Sequence, residues 1–277
     1  MALDQLGRRS RFARSPSGKR MQLTDRDLGI LRWLHRYRFL TAPQLVAILR
    51  PRSHKRFVER LGDLFHETGL INRPEVRWRG LDAHCQPLCY ELSTLGLRLL
   101  EYRDDIPERA VTLSRRAFRR RHLQFDHATL VIDTLLKIEL ATNGAPGQRF
   151  VPVDEILTRA PPSTRTARNP LAVPVTLSPC EALPDLKRPW HTHIIPDALY
   201  GIEYEIDGEK RYRFWALECE NTTPERRSSA RHSSIARKRA AYEALIASRA
   251  YRDHWGIPNL KLNLVCRGST SRLDDRW

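Results

Sequence analysis

Apolar residues recur at helical spacing three times in the first seventy positions. Ile30, Leu31, Leu34 and Tyr37 form a stripe that predicts an amphipathic helix. Thr24 is its expected N-cap, with Asp25 and Asp27 in the first turn, where the helix dipole favours negative charge. Thr41 caps a shorter helix carrying Leu45, Ile48 and Leu49, and Pro43 is tolerated in its first turn. After Pro51, a third helix from about Ser53 presents Phe57, Leu61, Leu64 and Phe65 and stops at Gly69. Two extended runs, 70–78 and 87–92, are joined by RGLDAHC, and Thr94 opens a helix with Leu95, Leu97, Leu99 and Leu100. Three helices, a hairpin and a closing helix predict a winged helix-turn-helix over 21–105. Its third helix would enter a DNA major groove while the hairpin grips backbone.

The second half alternates differently. Residues 122–140 are broadly apolar, as in a helix covered on several sides. A strand is expected at 149–157, and a proline-rich irregular insertion at 158–192. Extended runs follow at 194–206 and 211–220, then a helix over about 225–249 and a strand at 260–266. The order α-β-β-β-α-β gives a second domain at 122–277 and an α+β fold class overall.

Charge narrows the function. Lys and Arg total 48 against 32 Asp and Glu, a formal net charge of +16, which points to a polyanion partner and to DNA first. Residues 1–60 hold 15 bases and four acids, and 1–20 read as a flexible basic arm. Arg115, Arg116, Arg119, Arg120 and Arg121 form a second cluster in a basic linker at 106–121, and a third runs over 226–239. Arg52, Lys55, Arg56 and Arg60 on the third helix, with Arg119 and Arg120, are the expected DNA contacts. The hydrophobic content of 41% excludes wholesale disorder. No apolar run approaches the ~18 residues of a membrane span, and the basic N-terminal stretch lacks the apolar centre of a secretory signal. Five scattered cysteines do not make a disulfide framework, so a reducing cytoplasm is expected. His84, Cys85 and Cys89 have unusual spacing for zinc and no second pair follows, which favours ordinary thiols.

Residues 193–220 reverse the charge, with seven acids against three bases. Asp207-Gly208 is a strong two-residue hairpin signal. With that loop Ile206 faces Glu209 and, counting back along both strands, Asp197 faces Glu218 with Cβ atoms ~5 Å apart. Glu220 shares the face of Glu218. Carboxylates so close repel and need compensation. A hard divalent cation, Mg²⁺ or Mn²⁺, would supply it and could polarise a phosphoryl oxygen. The bland alternative makes Asp197 a strand-end cap and pairs Glu218 and Glu220 with arginines of the next helix. A bulge would also break this register, in which Arg211 and Arg213 fall opposite apolar positions.

Pro196-Asp197, then Glu218-Cys219-Glu220 on the next strand, within that element order, resembles the PD-(D/E)-x-K restriction-endonuclease-like superfamily. From about Leu23 onward the chain resembles the replication-relaxation family of plasmids and integrative elements. The matching stretches are LTDRDLGILRWLHRYRFLTAPQL, GLI, LSTLGLRLL, His127-Ala128-Thr129-Leu130 with Asp133, IIPDALYG, ALECENTT, and Lys238 with Tyr242. That family is similar to relaxases that nick one strand at a transfer origin during conjugative mobilisation. The resemblance implies metal binding by Asp197 and Glu218. Glu220 stands where the superfamily has Lys, and becomes an added ligand or the base that orients water. Lys238 would supply the missing ammonium. His127 and Tyr242 are accessory candidates; Tyr200, Tyr204 and Tyr242 are alternative nucleophiles to water. His191 and His193 could join the metal site, although hydrogen-bonded or solvated roles suit them better.

Two function classes follow. One is a Mg²⁺- or Mn²⁺-dependent DNA nickase acting on duplex DNA, with a transfer origin as the site the resemblance implies, beside mobilisation or replication proteins. The other is an inactive DNA-binding regulator or accessory protein, which the Glu220 departure favours.

Overall fold

A computed structural model describes residues 9–74, 87–103, 106, 125–180, 183, 186–220 and 235–266. They fall into two compact units, Met1–Phe125 and Asp126–Trp277. Together they are mixed α and β, with several sheets. Among the described residues no helix is long and apolar enough to cross a membrane.

In the first unit, local capping sets three helix starts. Thr24 and Asp27 form a reciprocal capping box at α1 (Asp25–Tyr37), and Thr41 and Gln44 form another at α2 (Ala42–Leu49). The Ser53 hydroxyl accepts from the Arg56 amide at α3 (His54–Asp63). Ile30, Leu31, Leu34, Leu45, Leu61 and Leu64 are completely buried and form the centre of the unit. The chain leaves α3 through a π-helical turn, Leu64–Thr68, and stops at Gly69 in the left-handed conformation (φ 66°). A three-residue strand, β1 (Phe39–Thr41), was not legible in the pattern. It pairs antiparallel with β3 (Cys89–Leu92), which also pairs with β2 (Ile71–Asn72), before α4 (Thr94–Tyr102). The hairpin tip expected between the extended runs, with His84 and Cys85, lies outside the described residues, as do Arg115 to Arg121.

The segment expected as a free basic arm is tied down from Arg9 to Lys19. Arg9 pairs with Asp63 and Glu67, and Lys19 with Asp63. Ser17 donates to Glu67 through both its amide and its hydroxyl. Arg14 donates to the carbonyls of Phe65 and Ile71. A helix end presents unpaired carbonyls, and here acids too, and the guanidinium fork suits both.

The second unit is built on a four-stranded sheet in the order β4-β7-β8-β9. Strand β4 (Gln148–Val151) pairs antiparallel with β7 (Ala198–Ile206), β7 antiparallel with β8 (Glu209–Glu220), and β8 parallel with β9 (Lys261–Cys266). Asp207 and Gly208 both have positive φ, 53° and 78°, as a two-residue hairpin turn requires. The register runs unbroken from Ile206↔Glu209 to Ala198↔Leu217. Arg213, opposite Ile202, finds its place with its guanidinium over the Tyr204 ring.

One face of the sheet, carrying Leu199, Phe214 and Ala216, joins a core with Tyr242 and Leu245 of α8 (Ile235–Ser248) and with Trp255 of α9 (Ala250–Trp255). The other face, with Tyr200, Leu217 and Cys219, packs on Leu130, Val131, Leu135 and Ile138 of α5 (Phe125–Gly144). Gly201 is needed where β7 meets Phe214: a Cβ there would lie 2.8 Å from that ring.

Three boundaries differ from expectation, each through proline. The strand at 149–157 ends at Val151, and Pro152 opens helix α6 (Val153–Arg159). The insertion at 158–192 is not irregular throughout: it holds α7 (Pro162–Thr166) and the strand β5 (Val173–Leu177), which pairs with β6 (Trp190–Ile194). Val173, Val175 and Leu177 alternate inward while Pro174 stays exposed, so the proline masked a regular period of two. The run 194–206 is split, because Ile194 belongs to the β5–β6 hairpin and β7 begins only after Pro196, which has no amide to donate.

Candidate functional site

The register of β7 and β8, continued by one pair, sets Asp197 across from Glu218 at the end of the sheet. Asp197 lies one residue before β7, and its carboxylate is fixed from two sides. Oδ2 accepts the Cys219 amide at 2.8 Å, and Oδ1 lies 2.9 Å from Nε2 of His127 on α5. Glu218 is 3% exposed and has both oxygens engaged. Lys238 Nζ lies 2.6 Å from Oε2, and the Tyr242 hydroxyl donates to Oε1 at 2.7 Å. Lys238 also reaches Glu220, at 2.7 Å from Oε1. Lys238 and Tyr242 stand four residues apart on α8, hence on one helix face, which is why one helix serves both Glu218 oxygens.

Among the described residues, the acids at this site outnumber the lysines and arginines that meet them. Burial pushes the Glu218 carboxyl above the usual carboxylate range and the Asp197 charge adds to the rise, while Lys238 and Tyr242 oppose it. Burial works against the Lys238 ammonium, but Glu218 and Glu220 outweigh it and hold the group protonated beyond its ordinary value. Burial, and then the Glu218 charge, raise the Tyr242 hydroxyl. The Cys219 thiol is pushed up to about 12 by burial, with Asp197 contributing. Glu218 and Glu220 thus share one lysine, and Asp197 meets His127.

This deficit bears on whether a cation fits. The donors are hard oxygens, and a carboxylate offers about four lone-pair sites, of which the contacts above use two on Asp197 and two on Glu218. Among the described residues no three His, Cys, Asp or Glu groups converge to cage an ion. The arrangement therefore fits an ion held by one or two carboxylates that keeps water or phosphate as its other ligands, the habit of Mg²⁺. The ionic compensation expected from a metal alone is supplied in part by Lys238. Glu220 engages that lysine.

A cleft of about 150 Å³ opens beside these groups, lined by Glu218, Arg237, Lys238, Tyr242, Thr192 and His193 among others. His191 lies 2.9 Å from the Thr176 hydroxyl through Nδ1, a structural contact within the β5–β6 hairpin. Tyr200 is stacked between Phe150 and Trp215, accepts from Asn263, and has its pKa pushed up to about 12 by burial. Tyr204 lies under Arg213.

In the first unit, Arg52, Lys55 and Arg56 are exposed on and just before α3. Arg60, expected among the DNA contacts, is turned inward: Nε and Nη2 hold the buried Asp27 at 2.9 and 2.5 Å, and Nη2 also donates to the Gln22 carbonyl. An arginine facing the acid of a capping box satisfies a buried charge, so Arg60 joins α3 to α1. Arg119 and Arg120 lie outside the described residues.

Sequence reasoning missed the Cys219 amide, which no side-chain pattern could signal, and the contact of Arg237 with Trp190, whose guanidinium carbon lies 4.1 Å from the ring centroid. A protein-family model described as replication-relaxation matches residues 31–260. No curated protein and no solved structure matches the chain.

Proposed function

The chain belongs to the replication-relaxation family, and from that premise we propose a two-domain DNA nickase. In this reading the first unit is a winged helix that binds duplex DNA, and the second is a restriction-endonuclease-like domain that cuts one strand during plasmid or integrative-element mobilisation. The observation that carries the reading is the cluster of Asp197, Glu218 and Lys238 at one end of the sheet. The sheet order, with three antiparallel strands and a fourth parallel one reached through α8, supports the nuclease-like assignment. The exposed bases Arg52, Lys55 and Arg56 support DNA binding.

Asp197 and Glu218 would hold a Mg²⁺ or Mn²⁺ ion, which when bound supplies positive charge at the phosphoryl group and acidifies a water. The chain's own groups do the rest. His127 and the Cys219 amide fix the Asp197 carboxylate, and Tyr242 fixes that of Glu218. Lys238 stays protonated and would stabilise the negative charge that develops on the phosphoryl oxygens. Glu220, one-fifth exposed, receives the proton of the attacking water. A bond forms between the water oxygen and phosphorus, the bond to the leaving deoxyribose oxygen breaks, and that oxygen takes a proton from solvent. Water is favoured over tyrosine because burial holds Tyr200 and Tyr242 in the protonated form.

The test is supercoiled plasmid incubated with the protein, with Mg²⁺ or Mn²⁺ and with chelator. Open-circular product only with metal supports the nickase, and linear product would make it a double-strand endonuclease. Binding without cleavage under every metal favours a second reading, a DNA-binding regulator or accessory factor. Glu220 in the position of the superfamily's lysine is the observation behind that alternative.

A further inference from the structure

Arg237 and Lys238 are consecutive on α8, yet their charged heads serve different places. Lys238 holds Glu218 and Glu220, while Arg237 stacks over Trp190 and also lines the cleft beside Glu218. Trp190 opens β6 and is 39% exposed, so much of the indole faces solvent even with Arg237 against it. Exposed Lys187 and Arg188 precede it. The chain then runs from this ring through Thr192 and His193, which line the cleft, to Asp197. An exposed indole braced by a guanidinium, flanked by further cations and adjoining an acidic cleft, is the chemistry that seats an unpaired nucleotide. The ring stacks a base, the cations take the phosphates, and sequence matters little because every base has a π-face. Duplex DNA keeps its base faces covered, so only a single strand can use such a ring.

We propose that β6 and α8 form a subsite for single-stranded DNA. A base beside the phosphodiester at Asp197 and Glu218 stacks on Trp190, and Arg237 with Arg188 holds the neighbouring phosphates. The subsite rests on the strand-nicking reading for its purpose, but its occupancy does not require cleavage.

The test is equilibrium binding of the full chain, in chelator, to a fluorescent oligo-dT and to a duplex of the same length. Trp190→Ala is expected to weaken single-strand binding about tenfold and to leave duplex binding within about twofold. Trp190→Phe, which keeps a stacking face, should stay within about threefold of the wild type. In parallel, 2-aminopurine is placed at successive positions of a single strand, and one position should be quenched by the wild-type protein through stacking. Unchanged single-strand affinity in Trp190→Ala, equal weakening on both DNA forms, or no quenched position would each overturn the subsite. A protein that never nicks but shows the Trp190-dependent loss would remove the nickase reading and leave the subsite standing.

Discussion

Glu203 and Glu218 lie on the same face of the same β7–β8 ladder, both nearly buried, and their chemistry is opposite. Glu203 meets Arg149, Lys210 and the Tyr212 hydroxyl. The Arg149 hydrogen bond, followed by that of Lys210, draws its carboxyl down to about 2. Arg149 also holds Glu155, which Arg159 reaches as well, so three cations serve two acids there. At the other end Glu218 and Glu220 share Lys238, Asp197 meets His127, and Glu218 is pushed up rather than down. The lesson is one of charge supply. A cluster with a cation for each acid is a clasp that closes the sheet, whereas a strongly perturbed carboxylate beside a cleft marks a candidate site for chemistry.

Substitutions at the two ends break or sharpen that contrast, and Lys238→Met has the largest expected effect. It removes the cation that the buried Glu218 meets and should lower unfolding free energy by about 3 kcal/mol in urea denaturation. Lys238→Met combined with Glu218→Gln should recover much of that loss. Glu203→Gln comes next, at about 1 kcal/mol, because its cationic partners are largely exposed and screened.

The two glutamates also differ in the sign of their pH dependence. The depressed Glu203 contributes stability that is present above the ordinary carboxylate range and lost as pH falls from about 4 to about 2, so Glu203→Gln should converge with wild type there. The raised Glu218 has the opposite sign. As pH climbs from the ordinary range through its folded value, wild type loses stability that Glu218→Gln keeps, so the variant gains on wild type across that interval. Thermal unfolding in buffers from acid to neutral pH reads both. Lys210→Ala is the smallest change, leaving the melting temperature within error because Lys210 is exposed.

What the sequence made legible was mostly local. Thr24, Thr41 and Ser53 mark helix starts because a cap needs only its own first turn, and Asp207-Gly208 marks the hairpin because both residues tolerate positive φ. That turn fixed the register, and with it the placement of Asp197 across from Glu218. The rest depended on distant neighbours. Whether Arg60 faces DNA or Asp27 is decided by how α1 and α3 pack, and His127 meets Asp197 across seventy positions. The docking of Arg14 on the turn after α3 uses backbone carbonyls that no residue pattern announces, and Arg9 finds the Asp63 and Glu67 carboxylates from far along the chain. The β5–β6 hairpin shows in the alternation of Val173, Val175 and Leu177, but the prolines around it give the segment the pattern of irregular chain.

The most direct measurement compares the wild-type chain with Asp197→Ala and Glu218→Ala on supercoiled plasmid in Mn²⁺, with duplex binding measured on the same preparations. Open circles from the wild type, a loss of more than about a hundredfold in both variants, and duplex affinity held within a few-fold are the expected results. Undiminished nicking by either variant would place the chemistry elsewhere in the molecule.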